Sequence, residues 1–328
     1  MSQLNNRYQG LAPELANELQ FYESKYFQED KPVPFCGMDI YPVKMHDYNL
    51  FFSCVDVLTL DKNKTPQGIK MTNLDYLREL MYSNTSEGNV YSYKLYSLLE
   101  LIFHVQNGLK CSNCHTIVPY TSQEFKDYLT KIQELQSLGV EKLASLSPSD
   151  IPKCLCPKCQ GEAKEEIIAI RLEENSKHYA LYIDGHKISS ADFNRLRQIV
   201  LFQNMPDYFD DSWVDASLRA DRMAKLELQQ KAGADVQAST ERKMVCLSIA
   251  TNYKLEEIYE MSVRKFTIAL GAVEDLINYK IMKTALMSGF VKMPKDNKIE
   301  HWIYKKPVDI YGDSYKDTEQ TQSSLSNL

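Results

Sequence analysis

The chain has 328 residues, a formal net charge of -6, 44% hydrophobic residues and 25% charged residues. That balance is close to an average folded protein with a sizeable core, and 12 glycines with 12 prolines exclude a collagen-like or Pro/Gly-rich disordered bulk. No apolar run reaches the about 18 residues of a membrane span, and the polar start Met1–Gly10 lacks the apolar centre of a signal peptide, so the expectation is a cytoplasmic protein of two or three structural units.

In chain order, 11–27 reads as an amphipathic helix with Leu11, Leu15, Leu19 and Tyr22 near helical spacing. The segment 31–42 carries three prolines and reads as extended. A helix after Pro42 carries Tyr48, Phe51, Phe52, Val55 and Leu58. Thr72 or Asn73 caps another through Leu80, and a third runs over 93–105 to the break at Asn107-Gly108. A charged helix is predicted over 123–138, then strands over 167–172 and 179–183. Asp184-Gly185 is a hairpin signal before His186–Ile188. Ser189 or Ser190 caps a helix through Phe202. Asp211 or Ser212 precedes a polar helix reaching Lys231, Gly233 ends it, and the polar stretch 233–240 reads as a linker, followed by helices over 240–251 and 255–259 and a long helix opened by Ser262. In that last helix Phe266, Leu270, Val273 and Ile277 form one apolar stripe, with core as its default role.

The predicted fold is mainly α with a small inserted antiparallel β module resembling a zinc ribbon (α+β). The predicted domains are a helical one at 1–107, a ribbon-like module with hairpin and helix at 108–204, a helical one at 205–312 and a disordered tail at 313–328.

Five of the eight cysteines lie between Cys111 and Cys159. Without a secretory signal, clustered cysteines read as metal ligands rather than disulfides. Cys111-x2-Cys114 and Cys156-x2-Cys159 each set two sulfurs on one side of a turn, and two such knuckles make a tetrahedral four-sulfur site that suits structural zinc. Lys110, Lys153 and Lys158 beside them favour thiolates, and Cys154 and His115 are spare donors. The 41 residues between the pairs exceed the common spacing of about 15–20, so the 123–138 helix reads as an insertion between two ribbon halves. A closed thiolate shell leaves no position for substrate or water, which argues against catalytic zinc. Redox dithiol chemistry lacks a surrounding βαβ pattern.

From Gly108 to Glu166 seven lysines face eight acids with no arginine, which argues against nucleic acid as a partner. The acids Asp207, Asp210, Asp211 and Asp215 lack the spacing of a calcium loop and read as helix-end carboxylates. No phosphate loop, dinucleotide fingerprint, HExxH or GxSxG is present, and the six histidines are scattered, so the residues name no reaction and no catalytic residue.

Two segments carry a family likeness. FCGMDIYPVKMHDYNLFFSCVDVLTL at 35–60 and VCLSIATNYKLEEIYEMSVRKFTIALGAVEDLINYKIMKTAL at 245–286 resemble patterns of tail assembly chaperones of tailed bacteriophages of Gram-positive hosts. The stretches 181–204 and 284–304 have the same flavour. The resemblance implies a non-enzymatic chaperone of virion morphogenesis in the host cytoplasm, with tape-measure and tail-tube proteins as partners. It implies contact residues Tyr41, Tyr48, Phe51, Phe52, Ile258, Tyr259, Phe266 and Leu270, and core remains the bland reading of each. The competing readings are a structural tail or baseplate component and a zinc-ribbon nucleic-acid factor. Self-association stays open.

Overall fold

The computed structural model describes residues 6–83, 86–137, 151–174, 176–212, 214, 217–222, 224, 238–288 and 301–303. Of the described residues 57% are helical and 14% are in strands, which makes the chain mainly α with small antiparallel sheets. Contacts divide it into two compact units. One comprises Met1–Asp30, Lys44–His46 and Phe202–Leu328; the other comprises Lys31–Val43 and Asp47–Leu201. This grouping departs from boundaries at 107 and 204, because the first 30 residues pack with the C-terminal helices. The predicted tail 313–328 and the stretch 225–237 lie outside the described residues.

In the first unit, α1 (Pro13–Tyr22) starts on a proline, whose missing N–H would be unpaired in the first turn anyway. It continues into a wider turn over Glu23–Phe27. After α7 (Ser190–Asn204) come α8 (Thr240–Thr251), α9 (Leu255–Tyr259) and α10 (Val263–Met287). Ser239 caps α8 through the Arg242 N–H, left-handed Asn252 ends it, and Ser262 caps α10 through the Lys265 N–H at 3.1 Å.

The cause of the regrouping is a buried polar clamp. Arg7 donates to the carbonyls of Phe202 (2.9 Å), Met205 (2.8 Å) and Tyr208 (3.2 Å), and Arg264 donates to Phe202 O at 2.9 Å. These carbonyls sit at and just beyond the end of α7, where a helix leaves acceptors unpaired. Both guanidinium groups pair with Glu23, which also accepts from the Tyr8 hydroxyl. Burial pushes the Glu23 carboxyl up, but the Tyr8 hydrogen bond with Arg264 and Arg7 outweighs it and holds it below its usual range. Arg7 is pulled down to about 10 by burial and by Arg264, and so stays charged at neutral pH.

The second unit opens with a hairpin, β1 (Val33–Phe35) and β2 (Met38–Ile40), where the sequence predicts only an extended segment. Its turn, Cys36-Gly37, has φ of 48° and 81°, the paired left-handed geometry of a tight hairpin. Then follow α2 (Tyr48–Cys54), the short α3 (Pro66–Ile69), α4 (Asn73–Tyr82) and α5 (Ser86–Phe103). Thr72 caps α4 by accepting the Asp75 N–H at 3.1 Å. Leu74, Leu77, Leu95, Leu98, Leu99 and Ile102 are buried where α4 packs on α5, and Phe51 of α2 is buried too.

The chain then builds β3 (Gly108–Cys111), β4 (Ile117–Pro119), α6 (Gln123–Ser137) and β5 (Ala163–Glu166), with sheet order β4-β3-β5. A second antiparallel sheet follows: β6 (Ile168–Leu172), β7 (Tyr179–Ile183) and β8 (His186–Ile188). Its β7–β8 turn is Asp184-Gly185 at φ 45° and 83°. Ser189 caps α7 (Ser190–Asn204) by accepting the Asp192 N–H.

Candidate metal centre

The first knuckle hangs from the β3–β4 hairpin. The Cys111 N–H donates to Thr116 O (2.9 Å), and the His115 N–H returns to Cys111 O (3.1 Å). The second knuckle repeats this before β5: Cys156 N–H donates to Gly161 O (2.9 Å) and Gln160 N–H to Cys156 O (2.9 Å). His115 and Gln160, each directly after the second cysteine of its pair, both take a left-handed φ of 57°. The two CxxC segments therefore turn alike, and each directs two sulfurs inward. The Ser112 N–H bond to Glu162 O (3.0 Å) and the β3–β5 pairing dock one knuckle on the other. Glycine is needed at 108, where a Cβ would sit 2.3 Å from Val118 O.

All four sulfurs lie within 4.8 Å of one another. Cys111 Sγ is 3.4 Å from Cys159 Sγ, and Cys114 Sγ is 3.5 Å from Cys156 Sγ. These are non-bonded separations and all four thiols are free. A tetrahedral ion held at about 2.3 Å by four sulfurs needs sulfur–sulfur edges of about 3.8 Å, inside that range. The donor set fits a soft tetrahedral metal ion with a closed shell. Cys111 and Cys156 are fully buried and Cys159 is exposed, so the site sits at the surface with half its sulfur wall in the core.

The local electrostatics correct one sequence expectation. Lys110 pairs with Asp184 (2.6 Å) and Lys153 with Glu162 (3.7 Å), so two of the three neighbouring lysines are engaged by carboxylates. Polar groups of the knuckles take over part of their role. Thr116 hydrogen bonding, with help from the neighbouring thiols, draws Cys114 down to about 6. The Gly161 N–H favours a Cys159 thiolate, yet the Cys114 and Cys111 sulfurs beside it push it up to about 12. Cys114 and Cys159 thus lose their protons unequally, and a bound cation would favour thiolate at every sulfur that holds it.

Cys154 is not among the clustered sulfurs. It is 2% exposed and packs with Leu109, Val118 and Ala163 under Phe125 and Tyr128 of α6, and burial pushes its thiol up. Helix α6 thus covers the apolar side of the β4-β3-β5 sheet. His115 is also outside the cluster.

The eight residues implied by the family likeness divide by burial. Phe51 (0% exposed), Ile258 (0%) and Phe266 (3%) are core, because each closes the inward face of its helix, and they offer no contact surface. Tyr41 is half-buried, stacked on His104 at 4.0 Å; Tyr48 is half-buried against Phe52 at 4.5 Å; Leu270 is half-buried. Phe52 and Tyr259 are exposed. Of the acidic group, Asp210 accepts the Ser212 N–H and Asp211 pairs with Arg222, while Asp215 lies outside the described residues. Among the described residues no helix is long and apolar enough to cross a membrane.

Sequence reasoning missed the pairing of His178 with Asp75. His178 Nδ1 lies 2.7 Å from Asp75 Oδ2, and the Tyr179 N–H donates to Asp75 Oδ1 at 2.9 Å. The Thr72-x-x-Asp75 spacing signals the cap but not the partner 103 residues away. No protein-family profile, curated protein or solved structure matches this chain.

Proposed function

We propose that the protein is a non-enzymatic assembly factor for the tail of a tailed bacteriophage, acting as a chaperone for tape-measure and tail-tube proteins. In this reading the four-cysteine cluster holds a structural zinc that fixes the ribbon.

The observation that carries the binding role is a burial gradient along α10. On one face Val263 and Phe266 are buried, Leu270 and Val273 are half-buried, Ile277 is 47% exposed and Ile281 is 61% exposed. The stripe leaves the core while keeping its apolar character. Met282 and Met287 add exposed apolar surface on other faces of the same helix end. A helix end that is apolar on several faces gains by being covered. Covering Ile277 and Ile281 contributes about 2 kcal/mol each. The partner chemistry that suits it is an amphipathic helix with its own apolar seam, which a tape-measure protein offers along its length until the tube closes around it. Zinc fits the staple role because four thiolates complete its tetrahedral shell.

The test is co-expression with the tape-measure and tube proteins of the same phage, with purified particles analysed by mass spectrometry. The reading predicts capture of one or both partners, weakened by Ile277→Ser/Ile281→Ser, and absence of this protein from particles. Fixed copies in particles would replace the chaperone by a structural tail part. Failure to bind or solubilise either partner would refute both.

A further inference from the structure

Outside the ribbon, the second unit holds a cleft of about 630 Å³ between α4 and the start of β7. Its lining brings Lys70, Arg78 and Lys177 together with His178. The two lysines are exposed and have no carboxylate partner among the described residues. Arg78 is held as a flat plate: its guanidinium carbon lies 3.8 Å from the Tyr179 ring centroid and 4.6 Å from that of Tyr82. Its Nε is buried and has no hydrogen-bond partner among the described residues. Stacking fixes the plane of the guanidinium, and its two terminal Nη groups are the edge that can bind an oxyanion through parallel bonds.

The carboxylates decide the sign of the site. Asp75 is engaged by His178 and by the Tyr179 N–H, which leaves Glu79 as the other acid of the lining. Lys70, Arg78 and Lys177 against Asp75 and Glu79 leave a surplus of one positive charge. A phosphomonoester offers three acceptor oxygens to the three cationic side chains, whereas a carboxylate offers two. The cleft volume matches a ligand of nucleotide size, and Met71 and Tyr82 supply apolar wall for its body.

We propose that this cleft is a phosphate-recognition site that takes the phosphomonoester of a small, nucleotide-sized ligand, with Arg78 as the bidentate donor and Lys70 and Lys177 as flanking charges. The site is independent of the assembly role and of the cysteine cluster.

The probes are AMP, inorganic phosphate and glutamate, titrated calorimetrically into the full-length protein. AMP is expected to bind saturably, one per chain, with Kd below about 1 mM. Lys70→Gln/Lys177→Gln should weaken it at least tenfold and Arg78→Gln should abolish it, with circular dichroism unchanged. The double lysine variant, altering exposed side chains only, keeps the test valid if Arg78→Gln misfolds. Absence of saturable binding by AMP and phosphate, or equal affinity in the double variant, overturns the proposal. Glutamate binding as tightly as AMP overturns the phosphate assignment.

Discussion

Cys111 and Cys159 are 48 residues apart in sequence, and Glu23 and Arg264 are 241 apart, yet each pair meets inside its own unit. The ribbon brings together four like groups that repel once ionised. The clamp brings together two guanidinium groups, one carboxylate and a row of helix-end carbonyls whose charges already complement one another. Among the described residues the ribbon's own apolar cluster has six buried members, three of them cysteines. Under the proposed reading, so small a core depends on an outside ion. The first unit carries its counter-charges within the chain and depends on pH instead.

The largest effect should come from breaking the ribbon. Cys111→Ser, or a strong chelator, removes a site whose metal affinity is worth about 10–16 kcal/mol in small zinc domains. Hydrogen exchange at the amides of 108–111 and 163–166 should become fast while α8 and the start of α10 stay protected. Protection unchanged in both regions would mean that the sheet stands without metal.

Next is the clamp. Glu23→Gln leaves Arg7 and Arg264 buried without their anion and should cost about 3 kcal/mol in urea unfolding. Its pH signature has a definite sign. Because the folded Glu23 carboxyl lies below its usual range, its stabilisation is present above the unfolded value of roughly 4.3 and is lost as pH falls through the folded one. The variant should show a flatter acid limb than the wild type. An identical limb would place the stabilisation elsewhere.

Smaller still is Thr72→Ala, which removes the acceptor for the Asp75 N–H and should cost about 1 kcal/mol. Ile281→Ser, at a position 61% exposed, should change stability by less than about 0.5 kcal/mol. Retained stability with lost partner capture would separate the binding face of α10 from its core.

What the sequence made legible follows from how local each signal is. Ser262, Ser189 and Thr72 act within one helical turn, and Asp184-Gly185 fixes its turn by backbone geometry, so these starts and stops are readable. The CxxC pairs are readable because each knuckle closes within five residues. The β1–β2 hairpin was hidden because Cys36, rather than Asn or Asp, takes the first left-handed position. The Arg7–Phe202 and Glu23–Arg264 contacts of the clamp and the Asp75–His178 pair join residues more than 100 positions apart, and a lone Arg7 or His178 carries no mark of its partner. The role of Cys154 needed packing as well. Its spacing offers a fifth donor, and only the cover of Phe125 and Tyr128 shows a core thiol.

The most direct test of the ribbon account is metal stoichiometry by elemental analysis of protein purified without chelators. The account predicts one zinc per chain in the wild type, close to none in Cys111→Ser, and an unchanged zinc content in Cys154→Ser. A folded wild-type protein without bound metal, or loss of zinc on replacing Cys154, would contradict it.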